Sequence, residues 1–217
     1  MAVEQKILCQ KEDWGLIDYA KAWALQKERV GAVIAGQPDL LIFCEHPAVF
    51  TLGRLADEEN FLISPEKIHA QGIAIEHIDR GGEVTLHAPG QLVIYPIFNL
   101  RHFDPDLKLY LRKLEQVAVD LLQDFDIVAH SIEGRRGVWV DRQKIVSMGI
   151  GVRRWVSFHG MAVNVNTNLD YFRMIRPCGL DVTMTSIEAL TGQRFPLEEI
   201  KAKTLQHFKH HFNLEFV

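Results

Sequence analysis

The fold class is indicated by residues 73–98, IAIEHIDRGGEVTLHAPGQLVIYPIF. In its first six residues, IAIEHI, Ile73 and Ile75 alternate with Ala74 and Glu76, EVTLHA follows a Gly-Gly pair, and LVIYPIF comes shortly after Pro89-Gly90. Alternation with a period of two, interrupted by Gly and Pro, is typical of β-strands joined by tight turns. The stretch therefore predicts a hairpin-rich sheet.

Helices are predicted on both sides of this stretch. Between Pro105 and Phe125 the apolar residues advance by four, three, four, three and four positions, which is the spacing of one buried helix face. Those residues are Leu107, Leu111, Leu114, Ala118, Leu121 and Phe125. Nearer the N-terminus, Asp13 is expected to cap a helix that runs to about Arg29, with Ile17, Ala20 and Ala24 on its inner face.

Further strands and helices complete the pattern. LLIFCEH, from Leu40 to His46, is predicted to be a buried strand, and short β runs return in GVWVD, KIVSMGIGV and HGMAVNVN. Thr185 and Glu188 predict the capping box of a short helix that Gly192 ends. The last helix is predicted from the stripe Leu197, Ile200, Thr204, Phe208 and Phe212. Blocks of strands flanked by helices indicate an α+β fold, and we expect one domain over residues 1–217.

Composition excludes several classes of protein. The 217 residues are 47% hydrophobic and 24% charged, which is the balance of a globular chain. With 24 Lys and Arg against 28 Asp and Glu, the formal net charge is −4, so no global basic field is available for nucleic acid or an anionic membrane. The sequence contains neither a secretory signal nor a long apolar run, and its three cysteines are unclustered. We expect a cytoplasmic protein.

Nucleotide and metal sites are not predicted. Gly149 and Gly151 lack a third glycine at the spacing of a dinucleotide loop, and no glycine loop ends in Gly-Lys-Ser or Gly-Lys-Thr. His207, His210 and His211 share one helix face, but no carboxylate or further histidine follows in a known ligand pattern. A solvated helix face is the favoured interpretation, so we expect neither a metal nor a cofactor.

Two stretches could carry chemistry. Gly81-Gly82 allows close approach to the backbone, and Thr85 and His87 point to the same side of the following strand, which could line a cleft or belong to a plain hairpin. Cys178 lies in IRPCGL, a constrained turn near cations that could lower the thiol pKa. For a lone cysteine, however, a small buried hydrophobe is the commoner role. Cys9 and Cys44 are assigned that role.

The chain resembles the lipoyl (octanoyl) transferases, the ATP-independent acyltransferases of lipoate biosynthesis. The similarity runs from about Cys44 to Ser186, in five blocks that keep the order of the family. The blocks are EHPAVFTLGR (45–54), RGGEVTLHAPGQLVIYPI (80–97), GVWVDRQKIVSMGIGV (137–152), FHGMAVNVN (158–166) and RPCGL (176–180).

The resemblance implies a role for particular residues. Cys178 is the implied acyl-thioester nucleophile, and Lys144 is its partner, which lowers the thiol pKa and carries protons. The implied substrate site consists of Arg80, Gly81, Gly82, Glu83, Val84, Thr85, Leu86, His87, Ser147, Met148, Gly149, Gly160, Met161 and Ala162. Leu86 and Ala88 depart from the family, which usually has an aromatic residue and a glycine there, and either change could alter the pocket wall.

The resemblance also implies the fold and the reaction. The fold is a mixed sheet flanked by helices, like the catalytic domain of biotin and lipoate ligases. Octanoate moves from the thioester of acyl carrier protein to a lysine of a lipoyl domain, in 2-oxoacid dehydrogenase complexes or the glycine cleavage H protein. Because the donor is expected to be acidic, a local basic rim is predicted among Arg135, Arg136, Arg153, Arg154, Arg173 and Arg176. The alternatives are an ATP-dependent lipoate or biotin ligase and a non-catalytic module that binds lipoyl domains.

Overall fold

The computed structural model of the protein describes residues 6–56, 60–103, 105–176 and 182–217. A mixed sheet forms its centre. The strands of this central sheet are β1 (Ile7–Leu16), β2 (Asp39–Glu45), β6 (Gln91–Ile97), β7 (His130–Ile132), β8 (Arg135–Val140), β9 (Gln143–Arg153), β10 (Val156–Asn164), β11 (Thr183–Met184) and β12 (Leu214–Phe216). In the described part of the chain their order is β12-β1-β2-β6-β10-β9-β8-β7, with β11 beside β9.

A second, smaller sheet contains the strands on either side of the Gly-Gly pair. It consists of β3 (Val49–Leu52), β4 (Ala74–His77) and β5 (Val84–His87), in the order β4-β3-β5. β3 pairs parallel with β4 and antiparallel with β5. Residues 73–98 therefore contain strands of both sheets, and the chain crosses from one sheet to the other after His87.

Helices cover both faces of the central sheet. The helices are α1 (Tyr19–Ile34), α2 (Pro65–His69), α3 (Leu107–Gln123), α4 (Ile187–Thr191) and α5 (Leu197–His211). Successive residues of a strand point to opposite faces, so Leu92 and Ile94 pack with α3 and α5, whereas Val93 and Tyr95 pack with α1. None of the helices in the described ranges combines the length and apolar character needed to cross a bilayer.

The predicted first helix begins later than expected. Residues up to Leu16 belong to β1, where Asp13 pairs in register with Phe43. Asp18, not Asp13, caps α1, and its side chain accepts a hydrogen bond from the Lys21 backbone N–H at 3.2 Å. Consequently the buried face is formed by Tyr19, Ala22, Gln26, Val30 and Val33, and the prediction of Ala20 and Ala24 there is wrong.

The other predicted helices are confirmed with small shifts. Asp106 caps α3, accepting from the Lys108 N–H at 2.7 Å, but Leu107 of the predicted stripe is exposed. α4 is capped by Ser186 instead of Thr185, and Gly192 ends it in the left-handed conformation. On α5 the prediction of a solvated histidine face is wrong for two of its three residues, because they contact acidic side chains of α3. These contacts are His207 to Asp124, at 2.9 Å, and His211 to Asp120, at 2.6 Å.

Candidate active site

A pocket opens beside the α1 face of the central sheet, where the small sheet meets it. The space between its walls is about 590 Å³, a figure that includes space open to solvent. Its walls come from the start of α1, from β5 and the loop before it, and from β6, β9 and β10. The lining residues are Tyr19, Arg80, Gly82, Glu83, Val84, Thr85, His87, Val93, Tyr95, Lys144, Ser147, Met148, Gly149, His159, Gly160, Met161 and Ala162.

Most of the predicted substrate-site residues meet in this pocket. The two exceptions are Gly81, which lines an adjoining groove, and Leu86. Leu86 is fully buried in the core of the small sheet, where it pairs with Phe50. Ala88, the other position that departs from the family, belongs to the same core. The prediction that these two departures alter the pocket wall is therefore wrong, because neither residue lines the pocket.

Lys144 brings a buried amine to the pocket. It lies on β9 and is only 5% exposed. Its Nζ lies 5.5 Å from the ring centroid of Trp139, a distance at which the indole face stabilises a cation. Gly137 makes room for this side chain, since a Cβ at that position would lie 2.6 Å from Lys144 Cε. The amine is thus held in one place by the residues around it.

Arg80 ties the loop before β5 to the neighbouring strand. Its guanidinium donates to the backbone carbonyls of Thr51 at 2.7 Å, Glu83 at 2.7 Å and Gly81 at 3.0 Å. The Gly81 N–H in turn donates to the Ile150 carbonyl of β9 at 3.3 Å. Because these bonds join β3, the loop and β9, Arg80 fixes one wall of the pocket relative to both sheets.

A buried histidine with an acidic partner forms another part of the wall. His159 is 3% exposed, its ring stacks on Trp23 with centroids 4.3 Å apart, and its Nε2 lies 3.3 Å from Asp79 Oδ1. Its φ of +56° is the left-handed conformation, which is uncommon for a residue with a side chain. Burial lowers the pKa of His159, and the neighbouring Asp79 carboxylate opposes that shift.

A group of polar rings at the pocket carries no charge. His46 Nε2 lies 2.7 Å from the Tyr95 hydroxyl, while its Nδ1 donates to the Ile17 carbonyl at 2.7 Å. Tyr19 stacks on His87 with ring centroids 5.6 Å apart. Burial lowers the pKa of His46 to about 4 and that of His87 well below its usual value, so both rings are neutral at physiological pH.

Comparison with known proteins identifies the family. The sequence model of the family described as "Lipoyl protein ligase A/B catalytic domain" matches residues 18–209. The chain belongs to this family. It is 42% identical to an octanoyltransferase of Syntrophotalea carbinolica over 200 residues, covering 91% of this chain and 92% of that one. It is also 42% identical to an octanoyltransferase of Solibacter usitatus over 210 residues, covering 96% and 95% of the two chains. The predicted octanoyltransferase family is confirmed.

Solved structures confirm the predicted α+β fold. Lipoate-protein ligase A bound with ATP superposes with a TM-score of 0.79 at 14% identity, covering 98% of this chain and 88% of that chain. Biotin protein ligase from Aquifex aeolicus gives a TM-score of 0.53 at 12% identity, covering 96% and 70%. The octanoyltransferase family thus shares its mixed sheet with the ligases, as the sequence predicted.

The predicted nucleophile of this octanoyltransferase, Cys178, lies outside the described residues. The two other cysteines are fully buried, as expected. Burial is the main cause that raises the pKa of Cys9 and of Cys44 well above the usual range, and the nearby Asp39 carboxylate adds to the shift of Cys9. Neither thiol is poised to form a thiolate at neutral pH.

Several pocket residues of the octanoyltransferase were missed by sequence reasoning. Tyr19, Val93, Tyr95 and His159 line the pocket, and His46 contacts the Tyr95 hydroxyl. His159 and Tyr95 lie within the quoted blocks, and their inclusion in those blocks was the available signal. Tyr19 precedes the first block, so its place in the pocket depends on how α1 packs across the sheet.

Proposed function

We propose that this octanoyltransferase moves an octanoyl group from the thioester of acyl carrier protein to a lysine of a lipoyl domain. The acceptors are the lipoyl domains of 2-oxoacid dehydrogenase complexes and the glycine cleavage H protein. Cys178 is the nucleophile and Lys144 is the proton carrier. The observation that carries the proposal is the buried Lys144 amine, which lies in the pocket of a chain 42% identical to octanoyltransferases.

Strand pairing brings the described chain that follows the RPCGL block to Lys144. The Arg176 N–H donates to the Asn60 carbonyl at 2.7 Å, two residues before the cysteine. After it, Met184 of β11 pairs in register with Lys144, and the Thr185 N–H donates to the Lys144 carbonyl at 2.9 Å.

The first step acylates the enzyme. The Cys178 thiolate attacks the carbonyl carbon of the donor thioester, a new C–S bond forms, and the bond to the carrier thiol breaks. The Lys144 ammonium favours the thiolate and supplies a proton to the departing thiolate, which leaves Lys144 as a neutral amine. Because one thioester replaces another, the step is close to isoenergetic.

The second step transfers the acyl group to the acceptor. The acceptor lysine reacts as a neutral amine after losing one proton to solvent. Its nitrogen attacks the carbonyl carbon, and the neutral Lys144 amine takes the proton that this nitrogen then releases. A C–N bond forms, the C–S bond to Cys178 breaks, and both catalytic groups return to their starting charges. An amide replaces a thioester, so this step runs downhill and requires no ATP.

The pocket has an apolar wall for an acyl chain. Val84, Val93, Met148 and Met161 line it. An octanoyl group has seven carbons beyond its carbonyl, and at about 0.8 kcal/mol per methylene their full burial stabilises the bound chain by roughly 5 kcal/mol before losses. That contribution favours a medium-length acyl chain over a short one.

Intact-mass measurement tests this function. We expect the purified protein to gain the mass of one octanoyl group when it is incubated with octanoyl carrier protein, and Cys178→Ala to gain none. Cys44→Ala is the matched control and should still be acylated. Full acyl transfer by the Cys178→Ala variant would contradict the covalent mechanism.

An ATP-dependent ligase is the second candidate, because a lipoate-protein ligase bound with ATP shares the fold. The two activities differ in their requirements. A ligase would modify a lipoyl domain from free octanoate only with ATP and magnesium, whereas the transferase uses the carrier thioester without them. An assay with each donor, in the presence and absence of ATP, separates the two. If neither donor acylates the enzyme or the lipoyl domain, with or without ATP, the protein is a non-catalytic module instead.

A further inference from the structure

A groove adjoins the acyl pocket on the side of Lys144. Lys144, Met148, Gly82 and Glu83 line both cavities, so the two adjoin at these residues. The groove is open to solvent, and the exposed side chain of Leu55 lies at its rim. Lys144 therefore lies where the pocket and the groove meet.

Three exposed arginines give the groove a positive charge. Arg54, Arg135 and Arg136 all line it, and Glu83 is the one acidic residue among its described lining residues. The arginine ion pairs found in the described ranges all involve other arginines, so these guanidinium groups have no contacting carboxylate there. The groove thus offers several charge-assisted donors to an anionic or carbonyl-rich ligand.

The positions of the arginines place this charge beside the reaction centre. Arg135 Cζ lies 5.9 Å from the centroid of the Trp139 ring, the same ring that Lys144 contacts. Across the groove, Arg136 Nη1 lies 3.2 Å from the point where a Cβ on Gly81 would be. The Arg54 N–H donates to the Arg80 carbonyl at 3.2 Å, which places Arg54 beside the loop that forms the pocket wall.

We propose that this arginine groove binds the phosphopantetheine arm through which a carrier protein presents its acyl thioester. The proposal rests on the proposed function and names the part of the donor that the groove holds. With the acyl chain in the pocket and the thioester at Lys144, the arm must leave through an opening next to Lys144. The arm carries two amides and ends in an anionic phosphodiester. Guanidinium groups bind the oxygens of such a phosphodiester with paired donors.

The competing occupant is the acceptor lysine. Its ammonium is repelled by Arg54, Arg135 and Arg136, whereas the phosphodiester is attracted to them. Charge therefore favours the donor arm. Of the arginines predicted to form a basic rim, Arg135 and Arg136 belong to this groove. Arg173 and Arg176 line a different cavity, and Arg153 with Arg154 lies at the β9–β10 turn.

Three donors of increasing size test the assignment. They are octanoyl-pantetheine, which lacks the phosphate, octanoyl-phosphopantetheine, which has it, and octanoyl carrier protein. For the double variant Arg54→Glu/Arg136→Glu we expect the acylation rate constant at low donor concentration to fall by about tenfold with both phosphate-bearing donors. With octanoyl-pantetheine it should stay within about twofold of the parent, because that donor offers no phosphate.

Two control variants and three contrary outcomes complete the test. Arg54→Gln/Arg136→Gln repeats the test without introducing acidic groups, and Arg101→Glu reverses one exposed charge that lines neither cavity. A loss confined to the carrier protein would place the arginines against the protein surface of the carrier and overturn the arm assignment. A loss confined to transfer onto the lipoyl domain would assign the groove to the acceptor. If the parent protein is not acylated by any donor, the proposed function itself fails.

Discussion

Met184 on β11 pairs in register with Lys144 on β9, and so the chain that follows the RPCGL block joins the sheet at the buried amine. If Lys144 stabilises a Cys178 thiolate, Lys144→Met removes a positive charge and should slow alkylation of Cys178 by iodoacetamide at neutral pH. Acyl transfer should fall as well, even at alkaline pH where the thiolate is restored, because the variant has lost its proton carrier.

Lys144→Arg separates the two roles of the lysine. A guanidinium keeps the positive charge but does not readily release its proton, so alkylation should be retained while transfer to the acceptor lysine is lost. The measurements are the pH dependence of alkylation and single-turnover acyl transfer for the parent and the two variants. Unchanged alkylation and unchanged transfer in Lys144→Met would show that the amine takes no part in catalysis.

Local patterns predicted the fold well where one rule acted alone. The regular apolar spacing of α3 and the Gly and Pro turns of residues 73–98 gave the correct elements. The first helix was misplaced because Asp13 and Asp18 are both good caps. Only pairing of β1 with β2 shows that the chain around Asp13 is extended.

Motifs predicted the pocket better than they predicted side-chain direction. Val84, Thr85, Leu86 and His87 are adjacent in one block, yet Leu86 points into the core of the small sheet while Thr85 and His87 line the pocket. Alternation along β5 separates Leu86 from Thr85 and His87, although sequence alone does not say which side faces the cavity. Val84, on the side of Leu86, borders both the core and the pocket. The left-handed backbone of His159 could not be foreseen, since glycine is the usual residue there.

Arg80 should be hard to replace, even by lysine. The guanidinium donates to three backbone carbonyls in different directions. The compact ammonium of a lysine does not reproduce that planar set of donors. We expect Arg80→Lys to lower kcat/KM for octanoyl carrier protein by about tenfold, mainly through KM, and to destabilise the fold by about 1–3 kcal/mol. Steady-state kinetics and urea unfolding measure the two effects. Arg101→Lys is the matched control, and equal behaviour of the two variants would rule out the positioning role of Arg80.

Two glycines should respond in opposite ways to the same substitution. A Cβ on Gly53 would lie 2.2 Å from the Gly82 carbonyl oxygen, so Gly53→Ala must displace the loop that lines the pocket. Gly31 lies in α1 with open space around its added Cβ, and alanine there should stabilise the helix by about 1 kcal/mol. We expect Gly53→Ala to lower both thermal stability and acylation, and Gly31→Ala to raise thermal stability without changing acylation. A Gly53→Ala protein with parental acylation kinetics would mean that the loop tolerates the shift.

The buried histidines should make the protein less stable in mild acid. Burial holds the pKa of His46 at about 4, below its usual value of 6.5, so the unfolded chain binds a proton more tightly than the folded protein does. Stability from this group is therefore complete above about pH 7 and declines as the pH falls through 6.5 towards 4. Between about pH 7 and pH 5 we expect a loss of about 2 kcal/mol from His46 alone, with further loss from His87. Urea unfolding at the two pH values measures it, and His46→Gln should reduce the difference by that amount whatever its stability at neutral pH. The same pH dependence in His46→Gln as in the parent would show that His46 is not the titrating group.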